Sequence, residues 1–139
     1  MKIDSERTEK HHAVQSKLKP KVELVLEKFQ KQLAEGNAEV LWTKHEKQRE
    51  LFRSFSRRSV LEAIQNGWVI EAYNNNDRSM SVLIIYFLKT TSGNYRPMHV
   101  YVNISKNVCN VITVYDPRSG EHMWSDNYQK RVLYAKGVE

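Results

Sequence analysis

Residues 96–117, "RPMHVYVNISKNVCNVITVYDP", indicate the fold class of this chain. Two runs with alternating apolar and polar side chains flank a short polar segment, and this pattern predicts an antiparallel β-hairpin. A three-residue loop, Ser105-Lys106-Asn107, suits the turn because asparagine tolerates the left-handed backbone that such loops need. The hairpin therefore predicts that the second half of the chain forms an antiparallel sheet.

The predicted hairpin has two chemically different faces. On one face, Val100 lies opposite Ile112 in an apolar layer; a slip by one residue would break this layer. The other face carries His99 directly opposite Thr113, with Tyr101 and Tyr115 diagonal to them. His99 has two interpretations at this point. It is either a buried core histidine bonded to its neighbour or part of a surface that displays chemistry.

Helices are predicted before the hairpin. An apolar stripe from Pro20 to Gly36 predicts one helix, and we expect residues before 19 to form a frayed extension or a disordered arm, with His11 and His12 exposed. A second helix is predicted to begin near Thr43. A third is predicted between 56 and 67, with a serine cap at its start and Asn-Gly at its end.

Two further strands are predicted between the helices and the hairpin, at "WVIEAY" and "MSVLIIYFLK". The tail after residue 117 fits either a short helix or an extra strand, and we expect Trp124 in it to cover the core. The predicted fold class is α+β, with N-terminal helices packed on a twisted antiparallel sheet of about four strands. Residues 1–36 are predicted to be a helical extension and residues 37–139 a compact α+β domain.

Composition narrows the class of protein. The chain has 139 residues, of which 40% are hydrophobic, and this is typical of a globular domain that buries a real core. Its only cysteine, Cys109, excludes an internal disulfide framework, and we interpret it as a small apolar strand residue. No signal peptide or membrane-spanning run is apparent, so we expect a cytoplasmic protein. The net charge of +6 favours an acidic or nucleic-acid partner.

A basic stripe lies on the predicted second helix. His45, Arg49 and Arg53 are spaced four residues apart, so they share one helix face. Two guanidinium groups beside an imidazole match the geometry of a phosphodiester, although the same pattern is also common on ordinary solvated helices.

The ordered series of these motifs resembles a known family. His45, Arg49 and Arg53 are followed by "SVLEAIQNGWVIEAY", "SVLII", "RPMHVYV" and "VITVYDP", and this series is similar to the domain of unknown function 4258 family. That family is grouped with RelE/BrnT-like ribonuclease toxins of the barnase–EndoU–colicin–RelE fold. The resemblance implies metal-independent cleavage of RNA, and the family pattern marks His45, Arg49, His99 and Thr113, with Arg53 and Tyr115 as weaker matches.

A ribonuclease of this kind would use the RNA 2′-hydroxyl to attack the adjacent phosphate. His45 and His99 are then the predicted acid and base, in either order, because the histidine pKa lies near working pH. Arg49 and Arg53 would hold the phosphate. The predicted catalytic residues are His45, His99, Arg49, Thr113 and Tyr115, and the predicted substrate-binding residues are Arg53, Tyr101 and Arg57. No cofactor and no metal are expected, since no metal-binding motif is present.

Other functions remain open on sequence grounds. The same basic and aromatic surface would suit a non-catalytic module that binds RNA or a protein, or an accessory protein that docks a partner through its N-terminal helix. A bacterial toxin would act on RNA, with tRNA as one candidate substrate, and would be held by an acidic antitoxin or immunity protein. It would work in the cytoplasm, either of its own cell or of a target cell reached as part of a larger secreted toxin. No membrane partner is expected.

Overall fold

A five-stranded mixed sheet organises the described part of the chain. The computed structural model describes residues 2–42, 55–74 and 79–135. Its helices are α1 (Ser5–Ala34) and α2 (Arg57–Asn66); its strands are β1 (Glu39–Trp42), β2 (Trp68–Asn74), β3 (Met80–Lys89), β4 (Tyr95–Ser105), β5 (Val108–Tyr115), β6 (Trp124–Ser125) and β7 (Lys130–Arg131); and a 3-10 helix spans Pro117–Met123. The predicted α+β class, with an N-terminal helix on a sheet, is confirmed.

The predicted hairpin is present as β4 and β5, but its predicted register is wrong. The ladder continues to Ser105 and Val108, so the turn has two residues, and Lys106 rather than Asn107 has the left-handed backbone, with φ 53°. A bulge then places one extra residue, Ile112, in β5. Ile112 is therefore 44% exposed instead of facing Val100 in the core.

These two irregularities change the partner of the histidine. His99 lies opposite Tyr115, and Thr113 lies opposite Tyr101. The shorter turn and the bulge each shift the pairing by one residue in the same direction. Because side chains alternate with a period of two, a combined shift of two residues leaves every side chain beyond the bulge on its predicted face.

The strand order in the sheet is β1-β5-β4-β3-β2. The sheet is mixed because β1 pairs parallel with β5. This strand is not among the predicted elements. It is only four residues long and lies between two predicted helices, so its period-two signal is weak. In this strand Val40 and Trp42 turn towards the helices, where they pack on the core, whereas Leu41 is 43% exposed.

Both helices cover one face of the sheet. The helix α1 continues without a break through Pro20 from Ser5 to Ala34, so the segment before residue 19 is neither frayed nor a disordered arm. Buried residues on both sides of Pro20 hold it, among them Gln15 and Val22. The predicted second helix near residue 43 lies outside the described residues. The division at residue 36 stays a prediction, although α1 shares the core with the sheet.

The short helix α2 has the predicted cap. The hydroxyl of Ser56 accepts a hydrogen bond from the backbone N–H of Ser59 at 3.1 Å. At its end, Gly67 lies so close to β3 that a Cβ atom would be 2.5 Å from the Ile84 side chain. A glycine is needed here because the backbones of α2 and β3 approach each other closely. The side chains of Val60, Ala63 and Ile64 on this helix are fully buried in the core.

The opposite face of the sheet is covered by residues 124–135, which we call the C-terminal strap. Trp124 packs there on Ile70, Leu83 and Ile85, so the prediction that this tryptophan covers the core is confirmed. The tail contains both predicted alternatives, a 3-10 helix and then a strand pair, β6 and β7.

The turn of the strap is unusual. Three successive non-glycine residues have a left-handed backbone: Asp126, Asn127 and Tyr128, with φ values of 51°, 56° and 67°. A left-handed backbone destabilises an ordinary residue by roughly 1–2 kcal/mol. The strap therefore holds a strained turn against the sheet.

The strap ends against the start of α1. The backbone N–H of Asp4 donates to the Leu133 carbonyl at 2.8 Å, and the N–H of Ala135 donates to the Lys2 carbonyl at 2.9 Å. Within the part of the chain that is described, neither helix combines the length and the apolar character that crossing a membrane requires.

Candidate functional site

The predicted site histidine is held in the layer between the sheet and the strap. His99 is 0% exposed. Its Nε2 lies 2.9 Å from the backbone carbonyl of Tyr128, and its Nδ1 lies 3.0 Å from the hydroxyl of Tyr115. A carbonyl only accepts, so Nε2 carries the proton, and the neutral ring accepts the Tyr115 proton at Nδ1.

Burial determines the charge of this histidine. It lowers the pKa of His99 to about 4, and the field of Arg131 acts in the same direction, against the hydrogen bond to Tyr128. The Trp124 ring packs edge-on at 4.5 Å between ring centroids. His99 is therefore a neutral, fully packed ring, and its two nitrogens both have partners within the protein.

Tyr115 is the predicted residue that reaches from this layer towards solvent. Burial raises its pKa to about 12. It is half-buried and lines a cavity of about 190 Å³ at the end of the sheet. The cavity is lined by Tyr115, Pro117, Ser119, Gly120, Met123, Trp124 and Arg131. A phenol and an arginine thus lie on the wall of one accessible cavity.

The remaining predicted residues on this face lie further along the hairpin. Tyr101 is half-buried and stacks on Tyr73, with ring centroids 5.7 Å apart and planes 13° apart. Thr113 lies beside Tyr101, not beside His99. Among the predicted residues on this face, the structure brings together His99 and Tyr115 by a hydrogen bond.

The predicted basic stripe can be placed only in part. His45, Arg49 and Arg53 lie outside the described residues. Arg57 begins α2, and its guanidinium lies 5.2 Å from the centre of the Trp42 ring, a cation–π distance.

A second arginine lies close to the end of β5. Arg96 lies 4.1 Å from the centre of the Phe55 ring and donates to Asp116 at 3.0 Å. Burial acts to raise the pKa of Asp116, but hydrogen bonds from Arg118 and Arg96 outweigh it and hold this pKa at about 2. The carboxylate next to Tyr115 is therefore ionised and already paired.

The sequence analysis missed a buried acid on the same face. Glu71 is 1% exposed, and Arg131 donates to both of its oxygens, at 2.8 and 2.9 Å. Tyr73 donates to the same carboxylate, and the His11 ring lies 2.5 Å from it. The available signal was the charge in the otherwise apolar strand "WVIEAY", which predicts a buried carboxylate that needs a partner.

The Glu71 cluster carries charge even though it is buried. Burial acts to raise the pKa of Glu71, but hydrogen bonds from Arg131, Tyr73 and His11 outweigh it, so the pKa is lowered. The Arg131 guanidinium also lies 4.6 Å from the centre of the Trp124 ring. It thus links Glu71 to the packing around His99. The expectation that His11 is exposed and without contacts is wrong, because His11 bonds Glu71 and His12 bonds the Arg131 carbonyl at 2.9 Å.

The single cysteine behaves as expected. Cys109 is fully buried on the helix-facing side of β5, and burial raises its pKa to about 12. A thiol in this environment is a packing residue rather than a nucleophile.

Comparisons with known proteins identify one family. The model of the family described as "Domain of unknown function (DUF4258)" matches residues 42–116, which run from the end of β1 to the end of the β4–β5 hairpin. No curated protein and no solved structure matches the chain. The matched region is 75 of the 139 residues (116 − 42 + 1) and contains His99, Thr113 and Tyr115. The chain therefore belongs to the domain of unknown function 4258 family.

Proposed function

We propose that this protein is a metal-independent RNA endonuclease that acts as a bacterial toxin in the cytoplasm. The observation that carries this proposal is the hydrogen bond between His99 and Tyr115 at the wall of an open cavity. It provides a phenol that is held in one position and that a substrate in the cavity can reach. The net charge of +6 supports a polyanionic substrate.

In this proposal Tyr115 is the acid of the reaction. The 2′-hydroxyl of the RNA loses its proton to the predicted base, His45, and its oxygen forms a bond to phosphorus. The bond from phosphorus to the 5′-oxygen breaks, and the 5′-oxygen takes the proton of Tyr115, which leaves its hydrogen bond to Nδ1 of His99. The products are a 2′,3′-cyclic phosphate and a free 5′-hydroxyl, and solvent returns both side chains to their starting protonation states.

The neighbours of Tyr115 support this role. With a pKa near 12, the phenol is protonated over the whole physiological range. The positive charge of Arg131 favours the phenolate that forms when the proton leaves. His99 does not touch the substrate in this scheme; it is a positioning residue that fixes the Tyr115 ring.

The test is cleavage of total RNA and tRNA, with and without EDTA, by the wild type and by Tyr115→Phe. We expect EDTA-resistant cleavage that falls about 100-fold in the variant, the lower end of the usual contribution of an acid. Tyr95→Phe is the matched control, because Tyr95 is 62% exposed at the start of β4. Wild-type cleavage abolished by EDTA, or equal cleavage by both variants, would overturn the proposed mechanism.

A non-catalytic RNA- or protein-binding module is the second candidate. The full burial of His99 favours it, because a histidine with both nitrogens bonded inside the protein is typical of a structural role. Retention of labelled RNA by the folded wild type without cleavage would support this module and exclude the endonuclease.

A further inference from the structure

A polar cavity lies between α1 and the C-terminal strap. We call it the α1–strap cavity. Its volume is about 90 Å³, and a water needs about 10–15 Å³ of such space, so several waters or one tetrahedral oxyanion fit. It is lined by His11, His12, Gln15, Ser16, Lys19, Ile70, Glu71, Gln129, Lys130 and Arg131.

The lining groups of this cavity are unequal in charge. Three cations, Lys19, Lys130 and Arg131, face one carboxylate, Glu71. Glu71 is already engaged by two guanidinium nitrogens of Arg131, Nε and Nη2, and by two other side chains. It therefore cannot also neutralise the lysines.

Among the residues that the structure describes, no carboxylate pairs with Lys19 or Lys130. They come from different elements, α1 and β7, and meet at one cavity. The three cations of the cavity exceed its single carboxylate, and an anion in the cavity would offset this excess of positive charge.

Two imidazole rings lie in the wall of the same cavity. His12 donates from Nε2 to the Arg131 carbonyl, and His11 bonds Glu71 through its Nε2. The two rings are 6.0 Å apart. These bonds fix the orientation of both rings and leave their Nδ1 atoms without a hydrogen bond among the described residues. Fixed rings are preorganised for a ligand because little side-chain entropy is lost on binding.

We propose that the α1–strap cavity binds a phosphate group, held by the ammonium groups of Lys19 and Lys130, with the His11 and His12 rings in the cavity wall. Arg131 lines both this cavity and the Tyr115 cavity, but the lysines line the α1–strap cavity alone, and the proposal does not depend on RNA cleavage. The phosphate can come from the RNA backbone or from a small phosphorylated molecule, since both present the same oxyanion to the lysines.

The test uses the full chain and inorganic phosphate as the probe. Titration calorimetry should give saturable binding to the wild type, weakened at least tenfold in Lys19→Gln/Lys130→Gln. The control, Lys31→Gln/Lys89→Gln, removes the same charge from two exposed positions and should bind like the wild type. Circular dichroism and the thermal midpoint verify that both variants are folded.

A second readout locates the ligand. Phosphate should shift the imidazole NMR signals of His11 and His12 in the wild type and not in Lys19→Gln/Lys130→Gln. No saturable binding by the wild type, equal weakening in both lysine pairs, or unshifted imidazole signals would each overturn the proposal.

Competition then distinguishes the two sources. If phosphate displaces a labelled ten-nucleotide RNA from the wild type, the site holds the RNA backbone. If phosphate binds at the lysines and leaves RNA binding unchanged, the site holds a small phosphorylated molecule. Either result supports a phosphate site, and both are independent of whether the protein cleaves RNA.

Discussion

The two faces of the sheet are built in opposite ways. The face beneath α1 and α2 is an apolar core of buried aliphatic residues such as Ile84, Val100 and Val102. The face beneath the strap buries two titratable groups, Glu71 and His99, within a few aromatic and aliphatic residues. One face depends on packing and is insensitive to pH, whereas the other depends on hydrogen bonds and on the charge state of its groups.

This difference indicates where function lies. Apolar packing alone would have covered the second face, as it covers the first. Buried polar groups lower stability unless every partner is in place, and on this face the buried polar side chains of the described residues all have partners. Both cavities discussed above, beside Tyr115 and beside α1, border this polar face.

The largest effect on stability is expected from removing Glu71, the buried acid of the polar face. Glu71→Ala leaves the Arg131 guanidinium, 24% exposed, without its carboxylate, and we expect the free energy of unfolding to fall by about 4 kcal/mol. Urea denaturation measures this loss. The double variant Glu71→Leu/Arg131→Met replaces the pair with apolar groups and should recover most of it. A double variant as unstable as Glu71→Ala would contradict the attribution to an unpaired charge.

The matching change on the apolar face should have a slightly smaller effect. Ile84 is fully buried, and Ile84→Ala removes its packing, so we expect a loss of about 3 kcal/mol. The loss should be the same at pH 7.5 and at pH 5, because the titratable groups of the described residues in or against that core cluster, Cys109 and Tyr86, both have a raised pKa and stay neutral over this range. A loss that depends on pH in urea denaturation would mean that the two faces are not independent.

Acid should weaken the polar face through His99. Its pKa is about 4 folded and about 6.5 unfolded, so between these values the unfolded chain binds more protons and stability falls as pH falls. From pH 7.5 to pH 5 the linked loss is about 2 kcal/mol.

The variant His99→Gln isolates this contribution. Its amide can still donate to the Tyr128 carbonyl but does not titrate, so its stability should change by about 2 kcal/mol less than that of the wild type over the same pH range. Unfolding by urea at both pH values gives the difference. Parallel pH profiles would show that His99 keeps its ordinary pKa in the folded protein.

The smallest effect on stability is expected in the strained turn of the C-terminal strap. Asp126 has φ 51° in the strained turn, and Asp126→Gly relieves this strain while adding freedom to the unfolded chain. We expect a net gain of about 0.5 kcal/mol in thermal unfolding. Lys89→Gly is the control. Lys89 lies at the end of β3 without a positive φ, so this change should destabilise the protein. Asp4 is unsuitable as a control position because its side chain caps α1.

The sequence predicts the apolar face better than the polar face. Alternation in β4, and in β5 beyond the bulge, predicts which side chains face the helices, and the Ser56 cap and Gly67 predict the ends of α2. The partner of His99 could not be predicted, because a tight turn and a bulge are set by backbone geometry that has no period in the sequence. The Glu71 cluster joins α1, β2 and β7, so it depends on the tertiary arrangement of segments about 60 residues apart.

The backbone hydrogen bonds between the C-terminal strap and the start of α1 have a consequence for the order of folding. They join residues near position 4 to residues near position 133, so they close a loop of almost the whole chain and carry a large entropy of closure. Contacts of such long range form late and open early. The helix-covered core can therefore be complete while the strap is still detached. In a nascent or partly opened chain, His99 and Tyr115 then meet water, and a partner that arrives at that moment encounters a sheet face that the finished protein hides.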